Sequence, residues 1–380
     1  MRYFMTGATG FIARAVSRQL VAAGHEVVTV DKKPNRARDL MENGVEVMLG
    51  DINDKPSMRD AMRECDGVFH LAAYTRINAK SKPKTERLNV EVKRNLKETL
   101  KELREARKQE STQGKTIAER INVEGTRNVL ELMKELKIAK GVFTSTMSVY
   151  SNTKRRMLQE NYRYRGPWLS EYERTRWVAH FEVAEPMMRE QRLPLVIVQP
   201  GTVYGPGDNS YVHTLIEMFL TKRLKSVPQK SARCWAHVED VAAAHIAAMK
   251  KGKIGENYFL TGPAHTITYL VDQASKMTGI PAPKRQLSPG LLRFVSLLLT
   301  PVGAMMALPE DYSPEALRTM AGTTYLGANE KAKRDLDFSP RSLEEGLRET
   351  LAYEMKLLGM GPKIEYADDI TVLELEPEQH

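Results

Sequence analysis

A glycine pattern at the end of an apolar run constrains the fold of this chain more than any other feature. TGATGFIA at 6–13 follows a predicted buried strand and opens an amphipathic helical pattern. Gly7, Gly10 and Ala13 give the Gly-x-x-Gly-x-x-Ala spacing, which allows a tight turn, a close approach to a pyrophosphate and close packing of helix on strand. The helix start then offers unpaired N–H groups and a positive dipole to the phosphates. The start of the chain is therefore predicted to bind a dinucleotide.

A dinucleotide-binding unit also needs an acidic residue at the end of its second strand, and this chain has one there. Asp31 lies about twenty residues beyond the glycines, at the end of the second predicted strand, where its carboxylate suits both ribose hydroxyls of an adenosine. It would repel a 2′-phosphate, which favours NAD. Lys32, Lys33 and Arg36 follow directly and suit that phosphate, so NADP stays a second cofactor candidate.

Short apolar runs alternate with longer amphipathic stretches through the first half of the chain. Six of these runs are predicted to be strands buried on both faces: residues 2–7, 26–31, 45–51, 66–73, 140–146 and 194–201. Strand–helix alternation is typical of a parallel sheet with right-handed crossovers. The predicted fold class is therefore α/β, a doubly wound Rossmann parallel sheet with a smaller, mainly helical C-terminal substrate region.

The same pattern predicts how the chain is divided. Residues 1–204 and 234–262 are assigned to a dinucleotide-binding Rossmann domain, and residues 205–233 and 263–348 to a substrate-binding region. Residues 364–380 are acidic and are predicted to form a loose tail.

One segment is a copy of its neighbour. ERLNVEVKRNLKETLKEL at 86–103 matches ERINVEGTRNVLELMKEL at 119–136 at eleven of eighteen positions, so we interpret 79–117 as a charged helical insertion from a local duplication. Between Ala79 and Lys115, twelve Lys/Arg stand against six Glu, and this local +6 accounts for most of the net charge of +9. Such a segment is typical of a solvated helix and does not favour a nucleic-acid surface.

Composition narrows the class of protein. The hydrophobic share of 42% and the charged share of 28% are typical of a soluble globular protein. Two isolated cysteines, Cys65 and Cys234, argue against a disulfide framework and for a reducing compartment, and no targeting segment is recognised before the first strand, so a cytoplasmic location is predicted. The eight histidines show no metal-ligand spacing, so no metal is expected.

The stretch 291–308 is the one candidate for membrane contact. Arg293 and Pro301 interrupt it, and its uninterrupted part is short for a span. A lid or pocket helix is therefore favoured over a membrane surface.

Several motifs, in order along the chain, resemble those of extended short-chain dehydrogenases/reductases of the epimerase/dehydratase group. The resemblance is closest to the dihydroflavonol-reductase and 3β-hydroxysteroid-dehydrogenase-like branch. The motifs are TGATGFIA at 6–13, GD at 50–51, HLAA at 70–73, NVEGTRNVLE at 122–131, TSTMSVY at 144–150, QPGTVYGPGD at 199–208, HVEDVAAAH at 237–245 and KAKRDLDFSPRSLEEGL at 331–347. They cover nearly the whole chain, and only 79–115 departs in length.

The resemblance implies a set of cofactor-binding residues. They are Gly7, Thr9, Gly10, Phe11, Ile12, Asp31, Lys32, Asp51, Ile52, Leu71, Ala72, Ala73, Tyr172, Arg176, Pro200, Gly201 and Val203. Within this set, Asp51 and Ile52 would lie by the adenine, and Pro200, Gly201 and Val203 would border the nicotinamide.

The resemblance also implies the catalytic residues. Tyr172 falls at the catalytic tyrosine and Thr146 at the catalytic Ser/Thr, but Arg176 stands where the family pattern Tyr-x-x-x-Lys has its lysine. The phenol would exchange a proton with the carbinol, helped by a cation that lowers its pKa, while Thr146 bonds the substrate oxygen. Arginine supplies the charge but cannot deprotonate, so a slow or lapsed enzyme is one interpretation.

Three functions stay open at this stage. An NAD(P)-dependent oxidoreductase that interconverts a secondary alcohol and a ketone is favoured, and the apolar stretch 291–308 favours a sterol- or flavonoid-like ring substrate. A nucleotide-sugar epimerase or dehydratase needs a cation for the second phosphate, for which Arg233 is a candidate. A non-catalytic dinucleotide-binding scaffold is the third, supported by Arg176 and the charged insertion. The resemblance further implies a homodimer.

Overall fold

The computed structural model of the chain describes residues 1–75, 115–305 and 313–361. Nearly all of the predicted insertion at 79–117, the predicted tail at 364–380 and the end of the apolar stretch 291–308 lie outside these residues.

Thirteen strands are found in the described part of the chain. They are β1 (Arg2–Thr6), β2 (Glu26–Asp31), β3 (Val45–Leu49), β4 (Gly67–His70), β5 (Lys140–Thr144), β6 (Leu195–Pro200), β7 (Thr202–Tyr204), β8 (Ser226–Pro228), β9 (Ala232–His237), β10 (Asn257–Leu260), β11 (Ala264–Thr266), β12 (Arg285–Leu287) and β13 (Thr324–Tyr325). Seven of them form one parallel sheet in the order β10-β6-β5-β4-β1-β2-β3. The predicted α/β class is therefore confirmed, and all six predicted strands are present.

Twelve helices accompany these strands. They are α1 (Phe11–Ala22), α2 (Arg38–Glu42), α3 (Lys55–Met62), α4 (the continuous run of Ile117–Glu119, Arg120–Gly125 and Thr126–Glu135), α5 (the run of Glu171–Val178, Ala179–Ala184 and Glu185–Arg189), α6 (Tyr211–Leu220), α7 (Val238–Lys251), α8 (Ile267–Thr278), α9 (Pro289–Met305), α10 (Pro314–Met320), α11 (Glu330–Leu336) and α12 (Leu343–Leu357). The middle sections of α4 and α5 are π-helical. In α5 this wider turn precedes Pro186, which has no N–H to continue the regular helical ladder.

Both faces of the large sheet are covered. Successive side chains of a strand point to opposite faces, and in β1 Met5 packs in one cluster with α1 and α7, whereas Phe4 packs in another with α3, α4 and α5. Phe4 and Met5 are fully buried, and burying a side chain of this size stabilises the fold by about 1.5–3 kcal/mol. This double burial is why the strands are almost continuously apolar in sequence.

A smaller sheet adjoins the carboxyl end of β6. It has the order β11-β9-β13, with β7 also paired to β9. Residues 234–237, assigned from the sequence to the dinucleotide-binding domain, thus lie in this second sheet, and the chain returns to the first sheet through α7 and β10. A third apolar cluster joins α6, α8 and α12 beside it. The exact division into two domains stays a prediction.

No described helix is long and apolar enough to cross a membrane.

Gly262, in the link between β10 of the large sheet and β11 of the smaller sheet, lies against β9, and this contact yields a test of the fold. A Cβ at Gly262 would lie 1.8 Å from the carbonyl oxygen of Trp235 in β9. We expect Gly262→Ala to lower the free energy of unfolding by about 3 kcal/mol, because backbone must move to relieve the overlap. Gly290→Ala, with nothing within 4 Å of its Cβ, is the matched control and should change it by less than about 1 kcal/mol. Equal effects in chemical denaturation would contradict this packing.

Candidate active site

The parallel sheet gathers the predicted cofactor residues at one edge. All seven strands of the sheet run the same way, so the segments that follow them meet at its carboxyl end. The residues found there are Gly7, Thr9, Gly10, Phe11 and Ile12 after β1, Asp31 and Lys32 after β2, Asp51 and Ile52 after β3, Leu71, Ala72 and Ala73 after β4, Thr146 after β5, and Pro200, Gly201 and Val203 after β6.

The turn that contains Gly7 and Gly10 has no space for a side chain at Gly7. Gly7 has φ +71°, and a Cβ there would lie 2.7 Å from Cα of Ala72 in the segment after β4. Gly10 donates its N–H to the carbonyl of Gly7 at 2.8 Å and begins α1, which no side chain caps. The first N–H groups of α1 are therefore available to a diphosphate.

The carboxylate of Asp31 lies in an open cleft of about 530 Å³. Its Oδ1 accepts the N–H of Lys33 at 2.7 Å, which fixes the carboxylate at the mouth of the cleft. Lys32 forms an ion pair with Asp51 at 2.7 Å, so its charge is already balanced within the protein. The side chain of Arg36 lies outside the described structure. This arrangement fits an adenosine ribose with free hydroxyls better than one with a 2′-phosphate.

Arg176 is a large cation buried inside the site. It is 2% exposed, its Nη2 donates to the carbonyl of Thr144 at the end of β5, and its guanidinium carbon lies 5.3 Å from the ring centre of Phe143. Burial lowers the pKa of the guanidinium from its ordinary value, while the nearby phenol of Tyr172 acts in the opposite direction. Among the described residues, Nε and Nη1 have no hydrogen-bond partner. These two buried donors fit the hydroxyls of a nicotinamide ribose.

Two neutral histidines flank this cation. His70 lies between the hydroxyls of Thr6 at 2.7 Å and Thr126 at 2.9 Å, and Nδ1 of His180 lies 2.8 Å from the hydroxyl of Ser145. Burial, and then the charge of Arg176, lowers the pKa of each imidazole to about 3. Both rings are therefore uncharged at neutral pH and position the site without acting as acids.

A hydrogen-bonded chain connects the glycine turn to the helix of Tyr172. Beyond His70, the hydroxyl of Thr126 donates to the carbonyl of Asn122 at 2.7 Å, and Nδ2 of Asn122 donates to the hydroxyl of Thr175 at 2.9 Å. Asn122 lies in the π-helical turn of α4. Sequence reasoning missed the role of Asn122 and of His180, although NVEGTRNVLE was recognised as a motif.

Thr146 and Tyr172 are brought to the same side of the sheet edge. Thr146 caps the 3₁₀ turn Met147–Tyr150, and its Oγ1 accepts the N–H of Ser148 at 3.1 Å. Tyr172 lies in the first turn of α5, one turn before Arg176, and α5 packs on that same 3₁₀ turn. Both side chains are half-buried, so they can meet a substrate. Ser148, which sequence reasoning did not single out, lies 3.3 Å from Thr146 through its hydroxyl.

Arg233 does not face a ligand. It is 4% exposed, donates to the carbonyls of Thr319 at 2.8 Å and Thr323 at 3.0 Å, and lies 4.4 Å above the ring of Tyr325. The phenol of Tyr325 in turn donates to buried Glu173, next to Tyr172. The hypothesis that Arg233 holds a second phosphate is therefore not supported by its position, because its donors are used inside the fold.

No described group of three His, Cys, Asp or Glu side chains could hold a metal ion. A glycine turn, a carboxylate in an open cleft and a Tyr–Arg pair lie on one sheet edge, the arrangement expected of a Rossmann protein that binds a nicotinamide dinucleotide. The model of a family described as NAD(P)H-binding matches residues 7–251. The chain belongs to this family, and to the extended short-chain dehydrogenases/reductases within it.

Individual relatives agree with this assignment. Sterol demethylase protein B of Methylococcus capsulatus is 25% identical over 360 residues, covering 93% of this chain and 98% of that protein. A putative dihydroflavonol 4-reductase of Synechocystis is 26% identical over 362 residues, covering 92% and 93%. A UDP-glucuronic acid 4-epimerase of Bacillus cereus, solved with UDP-glucuronic acid and NAD, has a TM-score of 0.67 at 21% identity, covering 94% and 100%. That structure shows the shared fold.

We predict that Asp31 sets the choice of cofactor in this site. We expect Asp31→Ser to weaken NADH binding by about tenfold or more, because the ribose hydroxyls lose a charged acceptor. NADPH binding should be unchanged or stronger, because the repulsion of its 2′-phosphate is removed. Nicotinamide fluorescence titration measures both, with Asp60→Ser, an exposed carboxylate on α3, as the control. An equal loss for both cofactors would show that Asp31 does not read the ribose.

Glu315, on α10 beside the start of α5, makes stability depend on pH. Burial raises its pKa from 4.5 to about 7, although the N–H of Glu171 reaches Oε2 at 3.4 Å. A carboxyl whose folded pKa is raised stabilises the fold fully below about pH 4.5, and this contribution is lost as the pH rises through 7. At pH 8, Glu315→Gln should therefore raise the free energy of unfolding, measured by urea denaturation, by about 1–2 kcal/mol relative to wild type. At pH 5 the two proteins should differ little. Glu42→Gln, an exposed residue of α2, is the control, and a pH-independent effect of Glu315→Gln would contradict the assignment.

Proposed function

We propose that this enzyme interconverts a secondary alcohol and a ketone on a hydrophobic ring substrate, with NAD as the preferred cofactor. The observation that carries the proposal is the buried Arg176 guanidinium, held one helical turn from Tyr172 with two donors left for a ribose. An NAD(P)-dependent enzyme of the extended short-chain type is what the family defines, and the hydrophobic substrate is the proposed refinement.

The chain's own groups handle the proton and the developing charge. When bound, the nicotinamide supplies or accepts a hydride. In the direction of reduction, Tyr172 donates its phenolic proton to the carbonyl oxygen, and Thr146 donates a hydrogen bond to the same oxygen. The fixed charge of Arg176 then stabilises the tyrosinate that remains. Because an arginine does not release a proton in proteins, Tyr172 must regain its proton from water or from a neighbouring hydroxyl.

Two observations support a hydrophobic ring over a nucleotide sugar. Sterol demethylase protein B and the putative dihydroflavonol 4-reductase are named for ring substrates and match almost the full chain. Arg233, the cation that a sugar nucleotide would need for its second phosphate, is turned inward to backbone carbonyls. A scaffold without catalysis is disfavoured by the cost of burying Arg176. Burying an arginine without an acidic partner costs several kcal/mol of stability. A bound ribose and a tyrosinate would offset that cost.

A homodimer in the cytoplasm completes the proposal. Support for this location comes from Cys65 and Cys234, which are both free and buried. Support for the dimer comes from the family resemblance of α4 and α5, and size-exclusion chromatography with light scattering tests it directly.

The first experiment is titration of the purified protein with NADH and NADPH, followed by a screen of hydrophobic alcohols and ketones. Tyr172→Phe should bind NADH as wild type does and lose turnover by at least about a hundredfold, because the proton donor is gone. Tyr162→Phe, a more exposed phenol outside the site, is the matched control. Binding of neither cofactor would overturn the proposal, and so would full turnover by Tyr172→Phe.

We expect Arg176 to support turnover in this site better than a lysine at the same position would. Arg176→Lys should keep cofactor binding but lower kcat/KM by about tenfold, because an ammonium cannot reach Thr144 and the ribose with the same fork. Arg176→Met should abolish binding, because both charge and donors are lost. A large gain of turnover in Arg176→Lys would show instead that the wild-type enzyme has lapsed.

A further inference from the structure

Helix α9 presents a row of large apolar side chains to the outside. Leu291, Phe294, Leu297, Leu298 and Val302 are between 36% and 69% exposed. They recur every three or four residues, so they share one side of the helix. The opposite side is anchored, since Leu292 is buried and the hydroxyl of buried Ser296 donates to the carbonyl of Pro314 at 2.8 Å. We refer to the five exposed residues as the α9 face.

Basic residues accompany this face, and acidic ones are missing from its sequence. No Asp or Glu occurs between residues 273 and 309. The parallel pairing of β8 with β12 sets Ser226 opposite Arg285, which places Lys225 next to Lys284 just before α9. We refer to four exposed cations on this pair of strands and its approach as the basic ribbon: Lys222, Lys225, Lys284 and Arg285. Arg223, which is also exposed there, is left out of this set because it pairs with Glu217.

We propose that the α9 face and the basic ribbon together bind the surface of an anionic lipid bilayer. A helix with one apolar side and neighbouring cations lies in the plane of the headgroups, with its apolar side in the acyl boundary. Each cation near such a surface adds about 1 kcal/mol of attraction at ordinary salt. The proposal concerns where the protein is held and does not depend on the reaction proposed above.

Charge favours an anionic bilayer over two other occupants of this face. A second copy docked about a two-fold axis would bring one basic ribbon against another, which is repulsive. The charged segment 79–115 carries a net +6 and would be repelled in the same way. An anionic membrane satisfies both the apolar row and the cations.

The same surface is connected to the site through α10. Helix α9 packs on α10, and Arg318 of α10 donates to the carbonyl of Leu169 at 3.2 Å, directly before α5 and Tyr172. A bilayer bound at the α9 face would therefore be separated from the start of α5 by one intervening helix, α10.

Co-sedimentation of the full chain with vesicles tests the proposal. We expect binding to vesicles of about three parts phosphatidylcholine to one of phosphatidylglycerol, and at least about tenfold weaker binding to phosphatidylcholine alone. Leu297→Ser with Leu298→Ser should weaken the former about tenfold, because two apolar side chains are withdrawn from the membrane. Lys284→Glu with Arg285→Glu should weaken it by at least as much, and most strongly at low salt.

Matched variants show whether these losses are local. Ile254→Ser with Met157→Ser removes two apolar side chains of similar exposure elsewhere, and Lys137→Glu with Lys250→Glu reverses two other exposed cations. Both should bind vesicles as wild type does. The proposal is overturned if wild type ignores anionic vesicles, or if the leucine variant binds them undiminished. It is equally overturned if the leucine variant instead turns a dimer into monomers at unchanged vesicle binding.

A probe in the face gives a second readout that needs no loss of binding. Phe294→Trp should show a blue-shifted emission with anionic vesicles and quenching by brominated lipid, whereas Ile254→Trp should show neither. Unchanged NADH titration confirms that each variant is folded. A tryptophan at 294 that stays solvent-exposed on vesicles would contradict the proposed orientation.

Discussion

The desolvated guanidinium of Arg176 is the interaction on which the rest of the site depends. Moving such a charge out of water costs several kcal/mol, and the chain offers it one carbonyl and the face of one ring. His70 and His180 respond by remaining neutral, since the pKa of each is lowered to about 3. The phenol of Tyr172 acts on Arg176 in the opposite direction to burial and raises the pKa of the guanidinium. An arginine in this position supplies a fixed charge, as the lysine of the family pattern would, without being able to pass a proton on.

Helix α5 also carries a buried acid, Glu173, three residues before Arg176. Glu173 accepts the N–H of Leu169 at 2.8 Å and the phenol of Tyr325 from the second sheet. Burial raises the pKa of Glu173 and raises the pKa of Tyr325 well above its ordinary value, and Arg233 lies over the ring of Tyr325. Buried polar networks of this kind hold one geometry because every broken bond leaves an unsatisfied group. The second sheet thus fixes where Tyr172 stands relative to the cofactor groove.

The sequence was sufficient for the large sheet because its strands are buried on both faces, apart from the edge strand β3, for which the prediction of double burial was wrong. That burial makes each strand an apolar run between helical patterns, and the glycine turn and Asp31 carry their own short-range signals. Strand ends were less accurate, since HLAA at 70–73 continues the apolar pattern after β4 ends at His70. The family resemblance, and not periodicity, led to Thr146 and Tyr172.

The sequence did not show which distant segments of the chain lie beside one another. Cys234 to His237 lie in a strand between β7 and β11, and the sequence does not show that these two strands are its partners. The carbonyl groups that Arg233 binds, those of Thr319 and Thr323, lie more than eighty residues away along the chain. The sequence alone did not show that these groups occupy its donors, so Arg233 was a candidate phosphate ligand. The π-helical turns of α4 and α5 contact each other, which is another pairing of distant segments.

The buried cation of the site, Arg176, and the exposed cations of the basic ribbon have different surroundings. Added salt therefore affects their interactions to different extents. Charges exposed to solvent are screened over a Debye length of about 8 Å at physiological ionic strength, whereas a buried charge is screened much less. Attraction through the basic ribbon, at Lys284 and Arg285, must therefore fall steeply with added salt. Contacts of Arg176 with a ribose and with Tyr172 must persist, because protein and cofactor exclude the solvent that would screen them. The chain can thus change its attachment to a charged surface without changing the electrostatics of its site.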